Sequence, residues 1–394
     1  MIFTPEDTRI VGCKDSRASG IATGDLHRMT PAARDYGKPS IEPENYTNYR
    51  WYARSCGKHQ KQFMPEPVSE FNLDVFFRPI ARRLHANHMS RLGIANTMRL
   101  AHAYNRIKFR RQDDWRRSLY RESFAALLEE NRAPRRPPIA MRDGWAIDTS
   151  LSLPYLDRIL DDADHIIAQR SGFRRSVQGA YRSYFQDVWT PADLVQYPSF
   201  LDFATSSDLL ATVGNYLNCV PALSTTLPSG IRFVESNAAF DDQPDHPHDS
   251  QLYHIDYYSL PNVYVLVLLR DTSPEHGPWT FLPRAISQKA AAALNYWGRQ
   301  RGYRVSDEEI YSVVDRSAAI EFCYPRGTVL FIESSGCFHF GSRNSVRPRF
   351  QLMLGYTGAC RTDFSEVIMK PGVYPTGASD SLLRRMVLNK NMFP

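Results

Sequence analysis

The fold is decided by the stretch from Gly327 to Thr357, which reads GTVLFIESSGCFHFGSRNSVRPRFQLMLGYT. Its start, Gly327–Glu333, predicts a buried strand because a short apolar run follows a turn glycine. A loop then brings His339, and a polar segment leads into a second strand over Phe350–Tyr356. The stretch therefore predicts two strands of a β-structure with candidate site residues between them.

Upstream segments extend this β-structure. Four are rich in β-branched and aromatic residues and are bounded by turn residues: Ile231–Glu235, Leu252–Tyr258, Val263–Leu269 and Ala318–Phe322. Apolar periodicity predicts helices over about Pro154–Gln169, Pro198–Thr205, Asp208–Leu217 and Ser287–Arg301. Short strands that follow a helical half predict an α+β fold, namely a double-stranded β-helix (a jelly-roll, cupin-like barrel) braced by helices.

The N-terminal third predicts a different organisation. Residues 1–70 carry Gly, Pro, Ser, Asn and Tyr without a steady apolar period, which predicts an irregular arm. Residues 71–136 form a basic region of helical pattern, with a net charge of +9 between Asp74 and Arg136 against −3 for the rest of the chain. Prolines at 134, 137 and 138 end that pattern, so residues 137–394 are the predicted jelly-roll domain with flanking helices.

Composition limits the class of protein. Of the 394 residues, 43% are hydrophobic and 23% are charged, which is typical of a globular chain rather than a disordered one. No apolar run approaches the roughly 20 residues of a membrane helix, and the N-terminus shows no secretory signal. Six scattered cysteines predict reduced thiols rather than a zinc ribbon or a disulfide framework, so we expect a cytoplasmic protein without membrane association.

The segment from Gln251 to Tyr258, QLYHIDYY, contains the first candidate metal ligands. Side chains two apart on a strand share a face, so His254 and Asp256 can reach one metal ion together. Two histidines and one carboxylate form the facial set that suits Fe(II), and His339 supplies the second histidine. An isolated His-x-Asp pattern equally fits a buried, hydrogen-bonded histidine beside a surface aspartate.

A competing pattern, DHPHD at 245–249, offers four candidate ligands within five residues. Pro247 within it and Pro244 just before it predict a loop, where no pleat sets the side-chain directions, so we expect these residues at a pocket rim. His276 is expected at a pocket edge, and Trp279 and Tyr257 are candidates for the pocket lining.

Three arginines follow the His339 loop. A guanidinium can hold the distal carboxylate of 2-oxoglutarate through a planar, two-pronged contact. Arg349 is the first choice, because it opens a strand with inward and outward alternation. Arg343 and Arg347 remain candidates.

The succession HID, LLRDTSPEHGPWTFLPR and GTVLFIESSGCFHFGSRNSVRPR resembles the phytanoyl-CoA dioxygenase-like family of Fe(II)/2-oxoglutarate-dependent oxygenases. The resemblance covers a little under half of the chain. The sequence departs from the family at Pro283–Ile286, where the family's Pro-Gly-Ser-His is Pro-Arg-Ala-Ile. The resemblance therefore does not predict the residues of the substrate wall or the substrate itself. It implies iron ligation by His254, Asp256 and His339 and a cosubstrate contact from Arg349, with Ser345 or Asn344 supporting the site. Gln251 is a further candidate for cosubstrate binding.

The same resemblance implies a hydroxylase that acts on an unactivated C–H bond of a small-molecule or carrier-bound substrate and releases succinate and CO2. Asp256 favours hydroxylation or a desaturation-type variant over halogenation, because related halogenases have a small residue at that position. Two alternatives remain open. One is a cupin-type iron dioxygenase that needs no 2-oxoglutarate, and the other is a catalytically silent barrel that binds nucleic acid or a partner protein through the basic region.

Overall fold

The structure is a computed structural model of the 394-residue chain. It describes residues 2–3, 73–86, 93–171, 183–188, 192–226, 230–244, 246–298, 302–369, 372 and 374–393. Apart from the short strand Ile2–Phe3, the predicted arm over residues 1–70 lies outside these ranges.

The described residues form antiparallel strands and helices. The strands are β1 (Ile2–Phe3), β2 (Trp145–Asp148), β3 (Phe185–Asp187), β4 (Ala222–Leu223), β5 (Ile231–Ser236), β6 (Asn262–Leu268), β7 (Thr280–Phe281), β8 (Ile320–Glu321), β9 (Val329–Glu333), β10 (His339–Phe340) and β11 (Arg349–Thr357). The α-helices are α1 (Leu73–Ala86), α2 (Ile94–Lys108), α3 (Arg110–Arg132), α4 (Leu156–Arg170), α5 (Asp193–Gln196), α6 (Ser199–Ala204), α7 (Ser207–Leu217), α8 (Arg284–Ala293), α9 (Asp307–Tyr311), α10 (Ser365–Ile368) and α11 (Leu382–Leu388).

Two sheets organise these strands. The main sheet has the order β1-β2-β9-β6-β11-β5-β3, and β4 also pairs with β11. The second sheet has the order β10-β7-β8, and a bridge between His254 and His339 extends it beyond β10. All seven residues of β6 and all nine of β11 are buried. These central strands are covered on both faces, which explains the nearly continuous apolar sequence of β6.

The side chains of β11 show how the two faces are used. Phe350, Leu352 and Leu354 belong to a helix-side cluster that includes residues of α3, α4, α6, α7 and α11. Met353 belongs instead to an inter-sheet cluster, whose buried members are Trp145, Ile147, Val234, Tyr264, Leu266, Leu268, Trp279, Phe281, Phe322, Leu330, Ile332, Cys337 and Met353. The period of two therefore places Arg349 and Gln351 on the inter-sheet side with Met353.

The predicted combination of helices with antiparallel strands is confirmed, but two element predictions are wrong. Leu252–Tyr258 is not a continuous strand, because only Tyr253 and His254 form bridges and the Ile255 N–H turns to the Tyr296 hydroxyl at 3.2 Å. The helix predicted over Ser287–Arg301 is Arg284–Ala293, and Asn295 just beyond it has a left-handed φ of 49°.

The basic region packs onto the sheets through α2 and α3. Ile94 and Met98 of α2 share a buried cluster with Tyr253, Ile255 and Tyr257, the neighbours of the first candidate ligands. The fully buried Arg116 of α3 donates to five backbone carbonyls, those of Val220, Pro221, Met386, Asn389 and Lys390. In the part of the chain that the structure describes, no helix is both long enough and apolar enough to cross a membrane.

Candidate metal centre

Three buried side chains converge at one end of the second sheet. His254, Asp256 and His339 each offer a ligand atom, and these atoms lie within 4.8 Å of one another. Paired backbone hydrogen bonds of 3.1 and 3.0 Å join His254 to His339, and the N–H of Asp256 donates to the Ser334 carbonyl at 3.0 Å. The backbone thus brings the two histidine rings to a centroid separation of 4.3 Å.

Backbone carbonyls orient both imidazoles. Nδ1 of His254 lies 2.9 Å from the Leu252 carbonyl, and Nδ1 of His339 lies 2.9 Å from the Cys337 carbonyl. A carbonyl only accepts, so each Nδ1 carries the hydrogen and each Nε2 presents its lone pair as the ligating atom. The donor set of two neutral imidazoles and one carboxylate is the one that suits Fe(II).

Aromatic side chains line the site around these ligands. The Trp279 ring stacks on His339 with a centroid separation of 4.5 Å and an interplanar angle of 10°. The Tyr303 ring lies 5.7 Å from that of His254, and its buried hydroxyl has no hydrogen-bond partner among the described residues. Burial, together with the nearby Asp256 carboxylate, raises the pKa of Tyr303. Trp279 was a sequence candidate, whereas nothing in the local sequence pointed to Tyr303.

Arg349 is buried on the inter-sheet side at the start of β11. Its Nη1 donates to the Gly277 carbonyl at 2.5 Å, and its Nη2 lies 3.1 Å from both the Ser236 and Ser342 hydroxyls. Its Nε has no hydrogen-bond partner within the described ranges, and no carboxylate there forms an ion pair with it. Burial lowers the pKa of Arg349 to about 9, so this cation lies in a setting that favours an anionic ligand.

Gly277 allows this contact. Its φ of +60° is a backbone conformation that glycine adopts readily. A Cβ at this position would lie 2.6 Å from the Arg343 carbonyl oxygen and 2.9 Å from the Ser345 Cβ. A side chain at position 277 would therefore displace this loop, and with it the Gly277 carbonyl that accepts a hydrogen bond from Arg349.

The other two candidate arginines already have acidic partners. Arg343 pairs with Asp307 at 2.8 Å, and its Nε donates to the backbone carbonyl of Gln251. Arg347 is exposed and pairs with Glu275 at 2.9 Å. Of the three arginines that follow His339, Arg349 is thus the one without a carboxylate partner in the described part of the chain.

The remaining cosubstrate candidates occupy different settings. Ser345 is fully buried, and its Oγ has no partner among described residues. Asn344 is exposed in a turn with a φ of 51°, away from the buried site. The Gln251 side chain donates to Asp241 and to the Ser342 carbonyl, and it accepts from the His248 N–H, so it braces the loop instead.

The competing ligand pattern forms no such centre. His246 is exposed, and His248 approaches Asp241 at 3.5 Å, while Asp245 lies outside the described residues. Among the residues that are described, the trio of His254, Asp256 and His339 is the group of three or more that could hold a metal ion. His276 caps its own turn, with Nδ1 2.9 Å from the Ser273 hydroxyl.

Comparisons with known proteins give structural likenesses only. No family model matches the sequence, and no curated protein matches it. Similar solved structures include the epimerase SnoN with Fe3+, alpha-ketoglutarate and nogalamycin RO (14% identity, 65% of this chain and 96% of that chain, TM-score 0.39). Others are HygX from Streptomyces hygroscopicus with nickel and 2-oxoglutarate (18%, 54% and 82%, 0.33) and EctD from S. alaskensis with 2-oxoglutarate and 5-hydroxyectoine (12%, 60% and 82%, 0.36). Identities and TM-scores this low assign neither a family nor an activity to the chain.

Proposed function

We propose that the protein is an Fe(II)/2-oxoglutarate-dependent oxygenase. The observation that carries the proposal is the buried set of His254, Asp256 and His339, with both imidazoles turned so that Nε2 is the ligating atom. The donor types fit Fe(II), and three protein ligands leave other positions for a cosubstrate. When bound, iron(II) and 2-oxoglutarate supply O2 activation coupled to oxidative decarboxylation, with succinate and CO2 as products.

The chain's own residues position and enclose this chemistry. The carbonyls of Leu252 and Cys337 fix the two imidazoles, and the Trp279 ring packs flat against His339. Exposure of the three ligands is between 2% and 6%, so the protein excludes bulk water from the site. Arg349 would bind the distal carboxylate of the cosubstrate, which neutralises its buried charge.

The finer assignments extend this proposal. The two facing sheets support a double-stranded β-helix, and the motif succession supports the phytanoyl-CoA dioxygenase-like branch. A carboxylate at Asp256 supports hydroxylation of a C–H bond, in which substrate, O2 and 2-oxoglutarate give alcohol, succinate and CO2. We propose a small-molecule or carrier-bound substrate, and a domain division at about residue 136, where α3 gives way to a proline-rich segment.

Succinate formation tests the proposal. Purified protein with Fe(II), 2-oxoglutarate and O2 should form succinate above the level of a His339→Ala variant, and a matching substrate should increase the rate further. His248→Ala is the matched control, because His248 belongs to the competing pattern and should retain wild-type turnover. Equal succinate from wild type and His339→Ala, across a panel of substrates, would contradict the assignment.

The 2-oxoglutarate-independent dioxygenase is the second candidate, and the same metal set supports it. Arg349 separates the two, because only a 2-oxoglutarate enzyme requires a buried cation for the cosubstrate carboxylate. Equal O2 consumption by wild type and Arg349→Met, with no succinate formed by either, would favour this second candidate.

A further inference from the structure

Both polar side-chain atoms of Gln351 are buried without a hydrogen bond in the described part of the chain. It lies on β11, two residues after Arg349, and its side chain is fully buried. Neither its Oε1 nor its Nε2 has a hydrogen-bond partner among the described residues. A buried amide left without partners costs roughly 1–3 kcal/mol, so its retention calls for a compensating role.

The setting of Gln351 shows why the protein itself offers no partner. Its neighbours across the sheet are Val234 on β5 and Leu268 on β6, both apolar members of the inter-sheet cluster. Strand alternation places Gln351 on the same face as Arg349, with Cα atoms about 7 Å apart. The amide therefore shares its side of the sheet with the unpartnered Nε of Arg349.

A second buried glutamine provides the contrast. Gln251 is 6% exposed, and both of its amide atoms are engaged by Asp241, Ser342 and the backbone of His248. That residue braces a loop by making hydrogen bonds within the chain. A structural role for Gln351 would require similar bonds, which the described residues do not provide.

We propose that Gln351 is a positioning residue for the dicarboxylate cosubstrate, and that its amide N–H donates to the same distal carboxylate that Arg349 binds. This inference rests on the proposed function. An acceptor-only anion between the two side chains would satisfy the Arg349 Nε and the Gln351 Nε2 together. A neutral amide beside the guanidinium adds a hydrogen bond without adding a second charge to be desolvated.

The experiment compares Gln351→Met, Gln351→Glu and Met353→Leu in the full-length chain. Met keeps the volume of Gln and removes both polar atoms, whereas Glu keeps the shape and adds a negative charge that repels an anionic ligand. Met353→Leu changes packing on the same face without touching a polar group. The readouts are the dissociation constant for 2-oxoglutarate, from the visible charge-transfer absorption of the anaerobic Fe(II) complex, and the unfolding temperature of the ligand-free protein.

Gln351→Met should weaken 2-oxoglutarate binding about tenfold, the value of one hydrogen bond to a charged group, and leave the ligand-free unfolding temperature unchanged or higher. Gln351→Glu should bind more weakly still, and Met353→Leu should bind like wild type. Wild-type affinity in both Gln351 variants overturns the inference, as does a lower unfolding temperature of Gln351→Met at unchanged affinity. If the wild-type protein shows no charge-transfer absorption with Fe(II) and 2-oxoglutarate, the proposed function is wrong, and this inference is wrong with it.

Discussion

Replacing Arg349 by methionine separates a functional buried cation from a structural one. The comparison is Arg116→Met, because both guanidinium groups are buried and neither forms an ion pair with a carboxylate in the described part of the chain. Within the described residues the Nε of each arginine has no hydrogen-bond partner. The remaining nitrogens differ, because those of Arg116 donate to five carbonyls, which is a structural role, whereas those of Arg349 make three hydrogen bonds.

The magnitudes follow from these contacts. Burial lowers the pKa of Arg349 from 12.5 to about 9, a cost of about 5 kcal/mol at roughly 1.4 kcal/mol per unit. The three hydrogen bonds contribute about 1.5–3 kcal/mol each, so we expect Arg349→Met to lower the free energy of unfolding by no more than about 4 kcal/mol. Arg116, with a pKa lowered to about 10 and five acceptors, should lose at least about 3 kcal/mol more.

For 2-oxoglutarate affinity the two variants should rank in the opposite order, with the larger loss in Arg349→Met. Two charge-assisted hydrogen bonds from Arg349 to a carboxylate are worth about 3–6 kcal/mol, so Arg349→Met should weaken 2-oxoglutarate binding at least about 100-fold. Calorimetric titration of the anaerobic Fe(II) protein measures this affinity, and urea unfolding measures stability. The reasoning is refuted if Arg349→Met binds within tenfold of wild type, or if it loses as much stability as Arg116→Met.

Further predictions concern the site wall, the cosubstrate cation and a buried ion pair. Tyr303→Phe removes an unpartnered hydroxyl, so the thermal unfolding temperature should stay the same or rise while Fe(II) content is unchanged; a clear drop would show a structural role. The folded-state pKa of Arg349 is lowered to about 9, so 2-oxoglutarate affinity should hold from pH 7 to 8 and fall as the pH passes through about 9; a flat profile to pH 10 would contradict this. Glu366→Gln leaves the buried Lys390 without the carboxylate that lies 2.6 Å from it, and should lower the free energy of unfolding in urea by about 3–5 kcal/mol at pH 7. That loss should shrink at pH 9, because burial lowers the pKa of Lys390 to about 8 and the lysine then folds without its charge; a loss that grows with pH would contradict the pairing.

Four strands of the main sheet, β5, β6, β9 and β11, could be predicted from sequence because their signal is local, whereas the short strands β1 to β4 could not. Runs such as that of β6 and the 327–333 segment are apolar, β-branched and bounded by turns, and the helix-side and inter-sheet clusters cover their two faces. The segment around His254 was harder, since its extended shape depends on bridges to His339 and Val305 rather than on its own pattern. Contacts distant in sequence decide such segments.

The residues of the candidate site also differ in how far local sequence predicts them. The spacing of His254 and Asp256 is a local signal, the ligand set that Fe(II) prefers calls for a second histidine, and the family resemblance implies that this histidine is His339. The choice among Arg343, Arg347 and Arg349 depends on which of them has a carboxylate partner, and those partners lie far away in the chain. Sequence patterns do not record such pairings.

Two residues, Tyr303 beside the candidate ligands and Gln351 with its proposed positioning role, went unnoticed in the sequence for related reasons. Tyr303 reaches His254 from the segment before α9, and Gln351 looks like an ordinary position of a buried strand. Each has a buried polar group without a partner in the described residues, which is a property of the packed structure and not of the sequence. The packing of α2 behind the first ligands through Ile94 was equally invisible.

Metal content tests the central claim most directly. Protein equilibrated anaerobically with Fe(II) and then dialysed should retain about one iron per chain, while His339→Ala and Asp256→Ala should retain little. His248→Ala should keep the wild-type stoichiometry. Full iron retention by His339→Ala and Asp256→Ala, or loss of iron from His248→Ala, would contradict the assignment of the metal to His254, Asp256 and His339.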